Sequence, residues 1–94
     1  MAQFELNENV HFGNPKDGYL KAIEVLPDHD VMVWKKREIA NLLLATKKTD
    51  AYQVSINIIF NFNDTVSITL ESEKADENTL NTLASEVFNA ITAE

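Results

Sequence analysis

Apolar and polar residues alternate through residues 52–63, and this alternation constrains the fold more than any other feature of the sequence. The apolar set is Tyr52, Val54, Ile56, Ile58, Phe60 and Phe62. Ile59 is the one apolar residue among the intervening positions. Because a period of two places successive side chains on opposite faces of a β-strand, the segment is predicted to be a strand with one buried and one polar face.

A second strand is predicted to follow, because the same alternation resumes with Val66, Ile68 and Leu70. Directly opposed residues in an antiparallel pair share a face, so the number of residues in the loop decides whether the apolar faces match. A two-residue loop at 63–64 would set Phe60 opposite Ser67 and break the apolar face. We therefore predict an odd-numbered loop that sets Phe60 or Phe62 opposite Val66.

Residues 77–92 have the periodicity of an amphipathic helix. Its apolar stripe consists of Leu80, Leu83, Ala84, Val87, Phe88 and Ile91. Asp76 stands at the N-cap position, and Glu77 suits the positive end of the helix dipole. We expect this helix to close the core, and the residues predicted to be buried are Ile58, Phe60, Ile68, Leu83, Val87 and Phe88.

The N-terminal part of the chain is predicted to form a β-hairpin. In the first strand, Phe4, Leu6, Val10 and Phe12 stand at even-numbered positions and would share one face. The turn formers Gly13, Asn14, Pro15 and Gly18 follow within residues 13–18. A second strand over residues 19–26 completes the hairpin, and residues 27–30 turn the chain again.

Residues 31–34 are consistent with two structures. Val31 and Val33 favour a short strand, whereas Asp30 could cap a helix running over residues 31–47. We favour a strand followed by a helix over residues 36–47, whose apolar face would contain Ile39, Leu42 and Leu43.

The predicted order is therefore β-β-(β)-α-β-β-α in a single domain spanning residues 1–94. Helices that cover one face of an antiparallel sheet form a two-layer arrangement. The predicted fold class is α+β, a two-layer sandwich with an antiparallel sheet of four to five strands and two helices on one face.

Composition limits the chemistry available to the chain. It contains no cysteine, two glycines and two histidines, which excludes disulfides, cysteine-based zinc sites and glycine-rich phosphate loops. Asp28, His29 and Asp30 are interpreted as a turn, because adjacent residues seldom converge on one ion. We predict no cofactor and no metal site. No apolar run approaches the about 18 residues of a membrane span, so no membrane partner and a cytoplasmic location are expected.

The net charge of −7 is unevenly distributed, because residues 31–50 are basic on balance and both flanking segments are acidic. With a single arginine in the chain, direct nucleic-acid binding is not expected. Lys35, Lys36 and Arg37, which we call the basic strip, would oppose the dipole at the start of the predicted helix. They are candidates for contact with an acidic partner, with Trp34 as an aromatic anchor. The alternatives for the strip are that the helix starts earlier, that Glu38 offsets the charge, or that acids of another element neutralise it. The alternative for Trp34 is that it is a core residue.

The outward side of the predicted sheet is the second candidate site. It is polar but little charged, with Ser55, Asn57, Asn61, Ser67 and Thr69. Asn57 and Asn61, together with the apolar exception Ile59, would form a flat docking surface for a protein or a sugar. The alternative is an ordinary solvated sheet face.

The leading functional hypothesis is a non-enzymatic protein-interaction module: an adaptor, assembly or inhibitor protein that binds a protein partner through its surface. Two alternatives stay open, an acidic nucleic-acid mimic or immunity-type inhibitor, and a small hydrolase with paired carboxylates. No catalytic residue is assigned. The exposed Ile59 and the long strand over residues 52–63 also predict a homodimer with two-fold symmetry.

Overall fold

The computed structural model describes residues 2–93, and five strands and two helices follow one another along them. They are β1 (Ala2–Asn9), α1 (Pro15–Val25), β2 (Met32–Arg37), β3 (Leu42–Lys48), β4 (Gln53–Phe60), β5 (Thr65–Ser72) and α2 (Glu77–Thr92). Short 3-10 turns at Leu26–His29 and Glu38–Ala40 flank β2. Neither helix in this part of the chain is long and apolar enough to cross a lipid bilayer.

The strands form one antiparallel sheet in the order β1-β5-β4-β3-β2. β4 is therefore the central strand, and β1 and β2 are the two edges. Residues of α1 and α2 share one core cluster with alternate residues of the strands, so both helices cover the same face. The predicted α+β two-layer sandwich is confirmed. The predicted order of elements is wrong, because the observed order is β-α-β-β-β-β-α.

β4 and β5 have the alternation that their sequences predict. Every second residue of β4 is buried, from Val54 to Phe60, and β5 alternates in the same way. Phe60 lies opposite Val66, so residues 61–65 form the odd-numbered connection that aligns the two apolar faces. Asp64 has a left-handed backbone in this connection, with φ of 59°. Asp and Asn tolerate that conformation better than most residues.

α2 also agrees with the prediction from its sequence. The side chain of Asp76 accepts a hydrogen bond from the backbone N–H of Thr79 at 2.8 Å, which caps the first turn. The predicted core residues Ile58, Phe60, Ile68, Leu83 and Val87 are buried. The prediction is only partly met for Phe88, which packs against the core cluster but is partly buried.

The predicted N-terminal hairpin is wrong, because residues 19–26 belong to α1 and the turn that follows it. The Asn14 side chain accepts a hydrogen bond from the backbone N–H of Lys16 at 2.9 Å, and Pro15 is the first helical residue. Proline suits that position because its missing N–H would have no helical partner there. Tyr19, Ala22 and Leu26 then fall on one buried face at helical spacing. The signals interpreted as a turn are thus a helix start.

The predicted helix over residues 36–47 is also wrong, because its second half is β3. Leu43 and Ala45 are buried beneath the helices, while Leu42 and Leu44 lie on the other face. β3 pairs with β2 on one side and with β4 on the other, so its backbone groups are used by the sheet. Asn41, with φ of 50°, ends the tight turn between β2 and β3. The strand alternative for residues 31–34 is the correct one.

Gly18 allows α1 to approach the sheet closely. An added Cβ at this position would lie 2.6 Å from Cδ1 and 2.7 Å from Cε1 of Phe60, and 2.9 Å from Cδ2 of Phe12. The Phe60 ring is buried and cannot move aside freely. The absence of a side chain at Gly18 is therefore required by packing.

We predict that Gly18→Ala destabilises the fold by about 1–2 kcal/mol. Overpacking destabilises by up to about 3 kcal/mol, and the higher helix propensity of alanine offsets about 1 kcal/mol of that loss. Denaturant unfolding measures the difference. Leu20→Ala, on the exposed side of the same helix, is the control and should change stability much less. A Gly18→Ala protein as stable as wild type would contradict the packing argument.

A second prediction concerns the cap of α2. The hydrogen bond from Thr79 lowers the pKa of the Asp76 carboxyl. The pKa of this carboxyl is therefore lower in the folded state than in the unfolded state. At a pH above the unfolded-state pKa the charged cap stabilises the fold in full, and this contribution is lost as the pH falls through the folded-state pKa. Asp76→Ala should therefore lower Tm at neutral pH, with a smaller loss in acid.

Thermal melts over a pH series measure this effect, with Asp76→Asn as the control, because asparagine keeps a capping oxygen without the charge. A Tm difference between wild type and Asp76→Ala that is the same at neutral and acidic pH would contradict the linkage.

Candidate protein-binding face

The sheet face opposite the helices is uncovered in residues 2–93, and we call it the open face. The strand registers align its residues in rows that cross the sheet from β1 to β2. One row contains Glu5, Thr69, Asn57, Leu44 and Lys35. The next row contains Asn7, Ser67, Ile59, Leu42 and Arg37. Each row therefore passes from polar or acidic residues at the β1 edge to apolar residues on β3 and a cation on β2.

The β2 side of the open face combines cations with apolar side chains. We call Met32, Lys35, Arg37, Leu42, Leu44 and Ile59 the cationic–apolar patch. Met32 is 68% exposed and Ile59 is 38% exposed, whereas Leu42 and Leu44 are partly buried. Lys35 and Asn57 flank Leu44, and Arg37 and Ile59 flank Leu42. The register thus brings together residues that the sequence presented as two separate candidate sites.

Four of the predicted contact residues lie outside this patch, and two of them, Lys36 and Trp34, are on β2. Lys36 pairs with Leu43, whose side chain is buried on the helix side of the sheet. Lys36 therefore lies on the helix side of the exposed β2 edge and not on the open face. Trp34 lies at a β-bulge between Val33 and Lys35 and is 60% exposed. The alternative that Trp34 is a core residue is therefore wrong.

Asn61 belongs to a hydrogen-bonded network on the β1 side of the open face. Its Nδ2 donates to Ser67 Oγ at 3.3 Å, and Ser67 Oγ donates to Asn7 Oδ1 at 2.7 Å. Asn7 Nδ2 in turn donates to Glu5 Oε1 at 3.1 Å. Asn57 is not part of this network. Because these polar groups bond to one another, they have fewer free donors and acceptors to offer a partner than Asn57 has.

The basic strip has no ion pair within residues 2–93, where the ion pair present joins Lys16 Nζ and Glu38 Oε1 at 2.7 Å. The hydrogen bond and the charge attraction in that pair raise the pKa of Lys16 and lower the pKa of Glu38. The alternative in which acids of another element neutralise the strip is therefore not found in this part of the chain. The dipole argument is wrong as well, because the strip lies on an edge strand and not at a helix start.

A polar concavity of about 560 Å³ lies where the β3–β4 connection meets the end of β5. Charged residues on its wall include Lys48, Asp50 and Glu71. Ser72 Oγ donates to the carbonyl oxygen of Gln53 at 2.8 Å and accepts from the N–H of Ala75 at 3.1 Å. This hydroxyl therefore ties the strands to the turn before α2. The described residues contain no group of three His, Asp or Glu side chains placed to hold a metal ion.

Sequence reasoning missed Met32, Leu42 and Leu44 as parts of the open face, because it assigned the leucines to a helix. The sequence has no alternation that would separate them, because residues 42–45 are apolar at both sets of alternate positions. Asp28, His29 and Asp30 were interpreted correctly as a turn, in which Asp30 has a φ of 59°.

No protein-family model matches the chain. No curated protein matches its sequence either.

We predict that replacing Lys35, Lys36 and Arg37 together by glutamine leaves the free energy of unfolding within about 0.5 kcal/mol of wild type, because exposed residues without ion pairs contribute little to stability. Denaturant melts at low protein concentration measure it. Lys16→Gln, which removes the observed ion pair with Glu38, is the comparison variant. A loss of more than about 1 kcal/mol in the triple variant would show that the strip has a structural role.

Proposed function

We propose that this chain is a non-enzymatic protein-interaction module that binds a protein partner through the open face of its sheet. The observation that carries the proposal is the cationic–apolar patch: apolar side chains beside two cations, on a face that no described element covers. The module would serve as an adaptor, assembly or inhibitor protein, and its proposed location is the cytoplasm.

The apolar part of the patch supports binding through burial. Met32 and Ile59 are exposed. Ile59 lies beside the partly buried Leu42, and Met32 lies beside Thr46, one row from the partly buried Leu44. An apolar area surrounded by polar residues is typical of a protein–protein contact. Each square ångström of apolar surface that a partner covers contributes about 25 cal/mol before the entropy cost of association is subtracted. The apolar residues of the patch are therefore a favourable contribution to the proposed contact.

The cations support selection among partners. Lys35 and Arg37 have no acidic partner within residues 2–93, although the chain as a whole has a net charge of −7. Two cations on an acidic body orient an incoming partner and favour one that presents carboxylates. Arginine is also enriched in interfaces. The expected partner surface thus presents carboxylates toward Lys35 and Arg37.

The structure of β2 favours binding on the face over addition of a strand to the edge. β2 is an edge strand with a bulge between Val33 and Lys35 and with the three cations of the basic strip. Bulges and lysines on edge strands oppose pairing with another strand. A partner would therefore pack its side chains on the open face.

We predict that the double variant Met32→Ser with Arg37→Gln loses at least about tenfold in affinity for a protein that wild type retains from an extract of its own cells. Both residues are exposed, so the fold should be unaffected. The matched control is Leu20→Ser with Lys74→Gln, which removes one exposed apolar side chain and one exposed cation away from the patch.

Equal retention by the two double variants would contradict the proposal. Binding that disappears with added salt but is indifferent to Met32→Ser would instead support the acidic nucleic-acid mimic, because contacts between exposed charges are screened and apolar contacts are not.

A further inference from the structure

We propose that the occupant of the open face is a second copy of this chain, related to the first by a two-fold axis that runs along β4. The inference rests on the proposed function and specifies its partner. It follows from the position of β4 in the sheet and from the distribution of charge across the rows of the open face.

The strand order makes such an axis possible. β4 is the central strand, with β5 and β1 on one side and β3 and β2 on the other. When two copies of the sheet face each other across an axis along β4, β1 of one copy lies over β2 of the other. The rows stay in register, because a rotation about the strand direction does not move residues along it. Every open-face residue therefore has a definable counterpart.

The counterparts are complementary in charge. Glu5 and Lys35 are the two ends of the same row, so Glu5 of each copy faces Lys35 of the other. In the next row Arg37 faces Asn7, whose side chain is hydrogen-bonded to Glu5. The acidic edge of each copy thus meets the basic edge of the other on both sides of the axis. Complementary potentials of this kind favour one orientation of association.

The residues on the axis are uncharged. Ser55, Asn57 and Ile59 of β4 would each face their own counterparts. A charged residue there would repel itself, and none is present. Ile59, the apolar exception in the outward row, contacts a second Ile59 in this arrangement. This contact explains why an apolar side chain stands at a position where a solvated sheet face would have a polar one.

Other two-fold arrangements of the same surfaces are unfavourable. An axis across the strands would lay β2 on β2 and set Lys35 and Arg37 of the two copies together. Pairing of the two β2 edges would do the same for the whole basic strip. Like charges placed together oppose association.

The size of the face predicts the strength of the dimer. A third row, made of Gln3, Glu71, Ser55, Thr46 and Met32, lies beside the two rows already described. Five strands and three rows present roughly 500 Å² at ordinary strand spacing. A standard interface covers roughly 800 Å² of each partner. The dimer is therefore expected to be weak and to depend on protein concentration.

A charge exchange tests the proposal by sedimentation velocity over a wide concentration range. Lys35→Glu alone and Glu5→Lys alone should each raise the dimer Kd at least about tenfold, because an attraction becomes a repulsion. The double variant Glu5→Lys with Lys35→Glu should return Kd to near the wild-type value. An equimolar mixture of the two single variants should form heterodimers.

The matched control is Glu8→Lys with Lys36→Glu and each of its single changes. These residues lie on β1 and β2 with the opposite parity, since Glu8 pairs with Val66 and Lys36 with Leu43. They should leave Kd unchanged. If they change Kd as much as the Glu5 and Lys35 variants do, the copies associate through their edges and the proposed axis is wrong.

A cross-linking experiment locates the axis, and the absence of native cysteine makes single-cysteine variants unambiguous. Facing sheets are separated by about 10 Å, so a thiol cross-linker of that span should join two copies of Ile59→Cys. Asn7→Cys lies two strands from the axis and should not cross-link to itself. It should cross-link to Arg37→Cys when the two variants are mixed.

The outcomes separate this inference from the proposed function. A chain that stays monomeric at all concentrations, while Ile59→Cys cross-links to a different protein from the extract, overturns the second copy and leaves the open face as a binding site. A monomer whose Ile59→Cys thiol cross-links to nothing overturns both. A dimer whose Kd is unchanged by Lys35→Glu alone and by Glu5→Lys alone overturns the proposed arrangement.

Discussion

Burial of the inner face of β4 and β5 beneath α1 and α2 is the interaction on which the rest of the structure depends. Ile58, Phe60 and Ile68 are buried there, and each large side chain removed from water contributes about 1.5–3 kcal/mol. Because side chains alternate along a strand, this packing also decides which residues point the other way. The open face is thus a direct consequence of the core.

Both helices lie on one side of the sheet, and the open face on the other side is therefore accessible to a partner. The connection through α1 sends β1 to one edge of the sheet, and β2 forms the other edge. Glu5 therefore stands at one end of a row and Lys35 at the other, separated by the neutral strand β4. The two charges cannot neutralise each other within one chain, because the width of the sheet lies between them. A second chain, or a partner with a similar pattern of charge, can pair an opposite charge with each of them.

The sequence by itself determined the elements whose periodicity is unambiguous. β4 and β5 alternate with a period of two, and α2 combines a helical stripe with a capping aspartate, so local geometry and burial demand the same structure. The fold class follows from these elements. Asn57 and Ile59 were also visible as candidates on the outward side of β4, whereas Lys35 and Arg37 were singled out by a helix-dipole argument that does not apply to an edge strand.

Only the tertiary structure decided β3, whereas α1 begins with a local signal that was interpreted as a turn. Asn14 caps the helix, Pro15 suits its first turn, and Gly18 leaves room for Phe60. Leu42 and its neighbours form a strand because β2 and β4 bond to both of its sides. Backbone pairing with the strands before and after β3 outweighs weak local preference, and the same registers place Lys35, Leu44 and Asn57 side by side. No local pattern contains that alignment, since it exists only once the strands have paired.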